Sequence, residues 1–327
     1  MTSVVTGAAG HVGGNLVRAL LARGEHVRVL VHRDREAFRG LDVEFAEGDV
    51  GDPESLGRAF AGAGVVYHLA GRISVLMSDG EPTHAVNVVG TRNVVQACLQ
   101  CGVRRLVHVS SIHALQEQVC GGMVDETCPL VDSQRSGPYA ISKALGEAEV
   151  QAGIAQGLDA VILRPTAIIG PHDYRPSHFG EALLALARNR WPALISGGFD
   201  WVDARDVADA AIRAAERAPA GAVYLISGHY VSIMDVARAI GEVTGNPAPR
   251  IVFPLGLVRL VAPLAAPVAQ AIGRRPLFTP VSVSALGTSR RVSHERAARD
   301  LGYAPRPFRE TIADTLHWFQ NNGRKVA

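Results

Sequence analysis

Little in this chain points away from an ordinary globular protein, and each shortage excludes something. Four cysteines in 327 residues make no disulfide framework. Cys98 and Cys101 form a C-x-x-C at the end of a predicted helix over 84–100, with no second such pair to complete a zinc set. Cys120 and Cys128 fall in a loop. A reduced, cytoplasmic protein without a bound metal is expected. Charge of either sign is not in surplus: 33 basic residues stand against 31 acidic, for a net +2. That gives no electrostatic case for nucleic acid or an anionic membrane as partner. No secretory signal is expected, because the strand-like TSVVTG begins at residue 2. The apolar stretch 255–273, LGLVRLVAPLAAPVAQAIG, is broken by Arg259, Pro263 and Pro267. A membrane-spanning helix needs an unbroken run of about 20 residues, so this segment reads as a buried or substrate-facing helix. Repeats and low-complexity tracts are missing too.

What is present is an alternation. Short apolar runs at 3–6, 27–31, 43–46, 64–69, 105–110 and 159–164 are separated mostly by helical patterns, the first marked by Val12, Leu16 and Leu20. Near-continuous β-branched strands alternating with helices predict a parallel sheet covered on both faces, with ligands at the carboxyl ends of its strands. The fold class is α/β: a Rossmann-type doubly wound parallel sheet with a smaller C-terminal α/β substrate lobe. Residues 1–165 with 199–228 are expected to form the nucleotide-binding domain, and 166–198 with 229–327 the substrate lobe.

The first strand runs into TGAAGHVG, with Gly7, Gly10 and Gly13. Glycines here permit a tight turn, close approach of backbone to a pyrophosphate and close helix–strand packing, while the helix N-terminus attracts the phosphate charge. Ala9, His11 and Val12 lie in the same turn. The second strand ends in Val31, His32 and Arg33, with Arg35 close by; the first acid, Asp34, falls past the strand. Cationic side chains suit a 2′-phosphate, so NADP(H) is favoured, with NAD(H) the alternative.

In SGPYAISKALGE (136–147), Pro138 suits the first position of a helix that Ser136 or Gly137 can cap. Tyr139 and Lys143, four apart, share one face of it. Ile141, Ala144, Leu145 and Ala148 are expected on the opposite face, packed on the core. The run 105–110 leads into HVSSIHA, which sets Ser110 and Ser111 at a carboxyl edge.

Taken in order and spacing, TGAAGHVG, GDV (48–50), HLAG (68–71), NVVGTRNV (87–94), VSS (109–111), YAISK (139–143), RPTAIIGP (164–171) and DARDVADA (203–210) resemble the extended short-chain dehydrogenase/reductase family over nearly the whole chain. Within it the chain looks most like the dihydroflavonol reductase-like and 3β-hydroxysteroid dehydrogenase-like branch. The resemblance implies Tyr139 as catalytic acid/base and Lys143 as the cation that lowers its pKa and holds the nicotinamide ribose. Ser111 would bind the substrate oxygen, and Asn87 would support the site. Asp49 and Val50 would flank the adenine, and Leu69, Ala70 and Gly71 would line the cofactor. Arg164, Pro165, Thr166 and Ile168 would follow the sixth strand along the nicotinamide. His113, His172 and Tyr174 are candidates for substrate contact, whereas His68 reads as a strand residue. A homodimer through the helices of Asn87 and Tyr139 is common in the family.

Nucleotide-sugar members usually carry an arginine ahead of the VDARD equivalent, but SGGFDWVDARD (196–206) has none there. Trp191, Phe199, Trp201 and the 255–273 segment suit an apolar ligand better. The leading expectation is therefore an NADP(H)-dependent oxidoreductase interconverting an apolar ketone or aldehyde with a secondary alcohol. An epimerase or dehydratase of a sugar-like substrate that retains its cofactor is the alternative, and a non-catalytic NADP-binding sensor the third.

Overall fold

A computed structural model describes residues 1–32, 35–74, 77–132, 136–260, 286–287 and 291–326. Arg33 of the expected cofactor set and residues 261–273 of the apolar stretch lie outside the described residues.

The strands β1 (Thr2–Thr6), β2 (His26–Val31), β3 (Glu44–Glu47), β4 (Ala63–His68), β5 (Arg105–Val109) and β6 (Ala160–Pro165) fall on the runs read from the sequence. With β10 (Val223–Ile226) they form a seven-stranded sheet in the order β10-β6-β5-β4-β1-β2-β3, every pair parallel. Strands buried on both faces explain the unbroken apolar runs. On one face Val29, Val107, Leu163 and Tyr224 of the strands pack with Leu16 of α1 (His11–Ala22) and Val207 of α7 (Ala204–Arg217). On the other face Leu106 and Ile162 of the strands pack with Leu56 and Phe60 of α2 (Pro53–Phe60), Val94 of α4 (Gly90–Gln100) and Val150 of α5 (Pro138–Ala155). The strand order reverses between β1 and β4, which opens a crevice at their carboxyl ends.

A second body of structure follows β6. Strands β7 (Ala167–Ile169), β9 (Gly198–Asp203) and β11 (His229–Ser232) form a three-stranded sheet, and β8 (Ala193–Ile195) pairs with β12 (Ile251–Phe253). Leu183, Trp201, Ile240 and Phe319 form its core with α6 (His178–Ala187), α8 (Ile233–Thr244) and α10 (Phe308–Asn321). The helix α9 (Glu295–Leu301) packs instead on α7 and β10. Among the described residues no helix is long and apolar enough to cross a membrane.

Two expectations are corrected. On α5 the buried residues are Ser142, Lys143, Ala144, Gly146, Glu147, Val150 and Gly153, so Ala144 lies inside as expected and Ile141 is half-buried, but Leu145 is 42% exposed and Ala148 is exposed as well. The charges turn inward because Arg164 on β6 meets Glu147 at 2.7 Å. Gly146 turns inward because it lies against the Asn87 carbonyl, where a Cβ would come within 2.6 Å. Apolar periodicity cannot foresee a buried ion pair. Secondly, Cys120 and Cys128 form a disulfide, where unpaired thiols were expected; the turn Glu117–Val119 and the bend after it bring their Cα atoms to 5.6 Å. Cys98 and Cys101 are free, Cys98 buried in the core and Cys101 donating to the Gly57 carbonyl at 3.6 Å.

Candidate active site

The turn from β1 into α1 is built by glycine. Gly7 adopts φ +66°, and a Cβ there would lie 2.5 Å from the Ala70 nitrogen. A Cβ on Gly13 would lie 2.3 Å from the Gly7 carbonyl oxygen, so strand and helix approach as only glycine allows. Gly10 caps α1 without a side chain, leaving first-turn N–H groups open at the crevice. Ala9 and Val12 pack on the core below. His11 Nε2 lies 3.0 Å from the Gly170 carbonyl oxygen and 3.1 Å from that of Pro171, and Asn15 also donates to Pro171 at 2.9 Å. A glycine cradle with an open helix N-terminus fits a dinucleotide pyrophosphate.

Behind β4, the Ala70 N–H donates to Thr6 Oγ1 at 3.3 Å, next to half-buried Leu69. Gly71 faces both Asn87 and Lys143: a Cβ would be 3.4 Å from Asn87 Oδ1 and 3.8 Å from Lys143 Nζ. Asp49 accepts from the Gly51 N–H at 2.7 Å, and buried Val50 accepts from Asn93 Nδ2 at 3.0 Å through its carbonyl. His32 is exposed at the end of β2. Arg35 pairs with Glu47 at 2.5 Å and lies 4.7 Å over the Phe45 ring.

Across the crevice, the Ser111 hydroxyl acts on the Tyr139 phenol, drawing its pKa down against the effect of burial. Ser111 Oγ also accepts from the His113 N–H at 3.2 Å, capping the turn Ile112–Ala114. Lys143, almost wholly buried, donates to the Val109 carbonyl at 2.9 Å. Asn87 sits in a π-helical turn, Ala85–Val89, between α3 (Gly80–His84) and α4. It accepts from the Arg72 N–H at 2.8 Å and donates to the Arg72 carbonyl at 3.0 Å. It also donates to Ser142 Oγ at 2.9 Å, and Ser142 donates in turn to the Tyr139 carbonyl at 2.7 Å. One amide thus ties the loop after β4 to the helix of Tyr139. Sequence reasoning missed Ser142, Glu147 and Arg72; the hydroxyl one position before Lys143 is the one signal it had.

Burial dominates the electrostatics. It pushes Lys143 down from 10.5 to about 8, with Glu147 opposing. It holds Tyr139 above its ordinary 10, and the lowering influence there is the Ser111 hydroxyl rather than the Lys143 ammonium, whose described partner is Val109. His68 Nδ1 lies 2.8 Å from Thr6 Oγ1 and Nε2 3.0 Å from Thr91 Oγ1, and burial pushes its pKa down to about 3.

Other expected residues lie elsewhere. Arg164 points at Glu147 beneath α5. Pro165 ends β6, Thr166 donates to Asp200 at 2.7 Å, and Ile168 is half-buried in β7. Tyr174 accepts from Arg18 Nη2 at 2.7 Å and meets Trp318 edge-on at 5.0 Å, with His172 stacked beside it at 6.3 Å. The structure therefore joins His172 and Tyr174 to α1 and α10, not to Ser111 and Tyr139. Nor are the other aromatics free for a ligand. Trp201 is 5% exposed and donates to the Val231 carbonyl, Phe199 and Phe179 meet it edge-on, and Trp191 packs on the same core.

Parallel sheet, glycine cradle and the Ser111–Tyr139–Lys143 grouping define a Rossmann-type protein that binds a nicotinamide dinucleotide. The chain belongs to the NAD dependent epimerase/dehydratase family, whose sequence profile matches residues 3–227, and is thus an NAD(P)-dependent short-chain dehydrogenase/reductase of the extended type. It is 38% identical over 327 residues to sterol demethylase protein B of Methylococcus capsulatus, covering 99% of each chain. It is 31% identical over 325 residues to a putative dihydroflavonol 4-reductase of Synechocystis sp., covering 98% of this chain and 94% of that one. The crystal structure of gox2253 superposes with a TM-score of 0.87 at 33% identity, covering 99% of both chains.

Proposed function

We propose that this enzyme interconverts an apolar ketone and a secondary alcohol with NADP(H), using Tyr139 as acid/base. The observation that carries the reading is the grouping of the Ser111 and Tyr139 hydroxyls with Lys143 beside Gly71 at the carboxyl edge of the sheet. The bound nicotinamide supplies or accepts the hydride. A phenol held above its ordinary pKa keeps its proton at neutral pH, so Tyr139 is poised as a donor to a carbonyl oxygen that Ser111 also holds. The Lys143 ammonium has donors beyond the one given to Val109 with which to grip ribose hydroxyls. Asn87 acts through Ser142 to set the height of Tyr139.

In this reading Gly7, Ala9, Gly10, His11, Val12 and Gly13 cradle the pyrophosphate, and His32 with Arg33 takes the 2′-phosphate. Asp49 and Val50 flank the adenine. Leu69, Ala70, Gly71, Pro165, Thr166 and Ile168 lie along the nicotinamide half. Residues 1–165 with 199–228 are the cofactor domain and the remainder the substrate lobe. An apolar substrate is favoured because the two relatives are named for a sterol and a dihydroflavonol, and because Ile73, next to Arg72, is 63% exposed.

The test is NADPH and NADH oxidation against aromatic, alicyclic and aliphatic ketones. Wild type should consume NADPH, and Y139F should lose roughly 10²- to 10⁴-fold in kcat while still binding NADPH. Tightly retained cofactor, no net absorbance change and an epimerised or dehydrated product would establish the family's other chemistry instead. NADPH binding with no turnover in any assay would leave a sensor.

A further inference from the structure

We propose that His113, steered by Glu117, is a substrate-recognition residue. Its Nε2 accepts a hydrogen bond from a hydroxyl that neighbours the carbonyl held by Ser111 and Tyr139, so the substrate is an apolar hydroxy ketone, or the diol formed from it. This deepens the reductase reading and rests on it.

The geometry begins at Ser111. The His113 N–H donates to Ser111 Oγ at 3.2 Å, so the imidazole leaves the same short turn that presents the serine. Its ring meets the Tyr139 ring edge-on, 6.2 Å between centroids and 72° between planes. Its side chain is 45% exposed, whereas that of Glu117, one turn on, is 8% exposed. Glu117 Oε1 faces His113 Nδ1 at 3.8 Å. A carboxylate this enclosed calls for a partner, and among the described residues the imidazole pairs with it. Across that distance the carboxylate acts through its charge rather than a hydrogen bond, drawing the ring proton to the Nδ1 side and leaving the lone pair on Nε2. Desolvation holds the ring below its ordinary pKa against the pull of Glu117, which keeps it neutral near pH 7.

The cleft thus sets one acceptor beside two hydroxyl donors. Ser111 and Tyr139 donate to a carbonyl oxygen, and the complement of a neutral Nε2 is an O–H on a neighbouring carbon. A ketone without that hydroxyl leaves the acceptor unanswered.

The experiment compares 1-tetralone with 2-hydroxy-1-tetralone, which differ by that hydroxyl alone, using wild type, H113F and H113Q. The half-exposed site tolerates both replacements, and H113Q retains an acceptor. Wild type should favour the hydroxy ketone about tenfold in kcat/KM, the worth of one hydrogen bond. H113F should bring the ratio near unity, and H113Q should recover part of it. A wild-type ratio of one, a preference that survives in H113F, or equal losses on both ketones overturns the proposal. Calorimetric binding of both ketones to enzyme loaded with NADP⁺ reads the same preference without turnover. If binding discriminates through His113 while NADPH is not consumed, the reductase reading falls and the recognition residue stands. If neither ketone binds, the recognition proposal falls.

Discussion

Glu147 and Arg164 form an ion pair at 2.7 Å with side chains 2% and 7% exposed, and Glu147 lies one helical turn beyond Lys143. Three cationic or anionic groups therefore share one buried strip beneath α5. Removing one partner of such a pair leaves an uncompensated charge, which costs about 3–5 kcal/mol. E147Q and R164M should each lower the stability read from urea unfolding by that order. The double variant E147Q/R164M should recover most of it, because neither charge is then stranded. Additive losses in the double variant would show that the two side chains act independently.

Lys143 carries the opposite balance. Its pKa falls from 10.5 in the unfolded chain to about 8 in the folded one, with burial the main cause. The folded state releases this proton more readily, so between about pH 8 and 10.5 the unfolded chain binds more protons and stability rises with pH. Below pH 8 the buried ammonium costs about 3 kcal/mol, less the bond it makes to Val109. K143M should therefore be more stable than wild type at pH 7 and lose that advantage by pH 10.5, while ketone reduction is lost. Urea midpoints at the two pH values check it; an advantage that does not vary with pH would assign the gain to packing.

Strand positions were legible because parallel strands are apolar throughout, and the glycine turn was legible because its context, strand before and helix after, fixes what the glycines do. Leu145 shows where that legibility ends. A leucine at the right spacing was expected inside and lies outside, because the inward face of α5 is bought by ion pairing and by the close approach of Gly146 to Asn87. The same limit applies to Trp201 and Phe199: aromatic residues next to a site motif suggest a pocket, and only packing shows that they fill a core. Asn87 was visible by resemblance, but its three hydrogen bonds to Arg72 and Ser142 depend on a π-turn that no periodicity announces.

Gly13 gives a steric test of the cofactor cradle. A methyl group there would meet the Gly7 carbonyl oxygen at 2.3 Å and the Ala8 Cα at 2.7 Å, both backbone atoms that cannot turn aside. G13A must push α1 off β1, at about 1–3 kcal/mol, and the displaced helix N-terminus no longer meets the phosphates. The expected outcome is a thermal midpoint lowered by several degrees and NADPH affinity reduced at least tenfold by fluorescence titration. G24A, on the same connection with nothing within 4 Å of its Cβ but φ +75°, is the control for backbone strain alone. It should lose stability and keep NADPH affinity.

The Cys120–Cys128 bridge closes a loop that follows directly on the turn of Glu117, whose carbonyl accepts from the Cys120 N–H at 3.4 Å. Its two ends pack on Ile112, Leu115 and Leu225, directly behind the turn of Ser111 and His113. Removing a cross-link around a short loop costs about 2–3 kcal/mol in the chain-entropy account, and here the loosened segment is the one that backs the turn of Ser111 and His113. Reduction with a dithiol, or the C120S/C128S variant, should raise amide hydrogen exchange across residues 115–130 while leaving the strands β1 to β6 protected. KM for ketone should rise more than kcat falls, because Tyr139 and Lys143 stand on α5 and do not depend on the loop. Exchange that is the same in oxidised and reduced protein would mean that packing on Ile112 and Leu225 alone holds the segment.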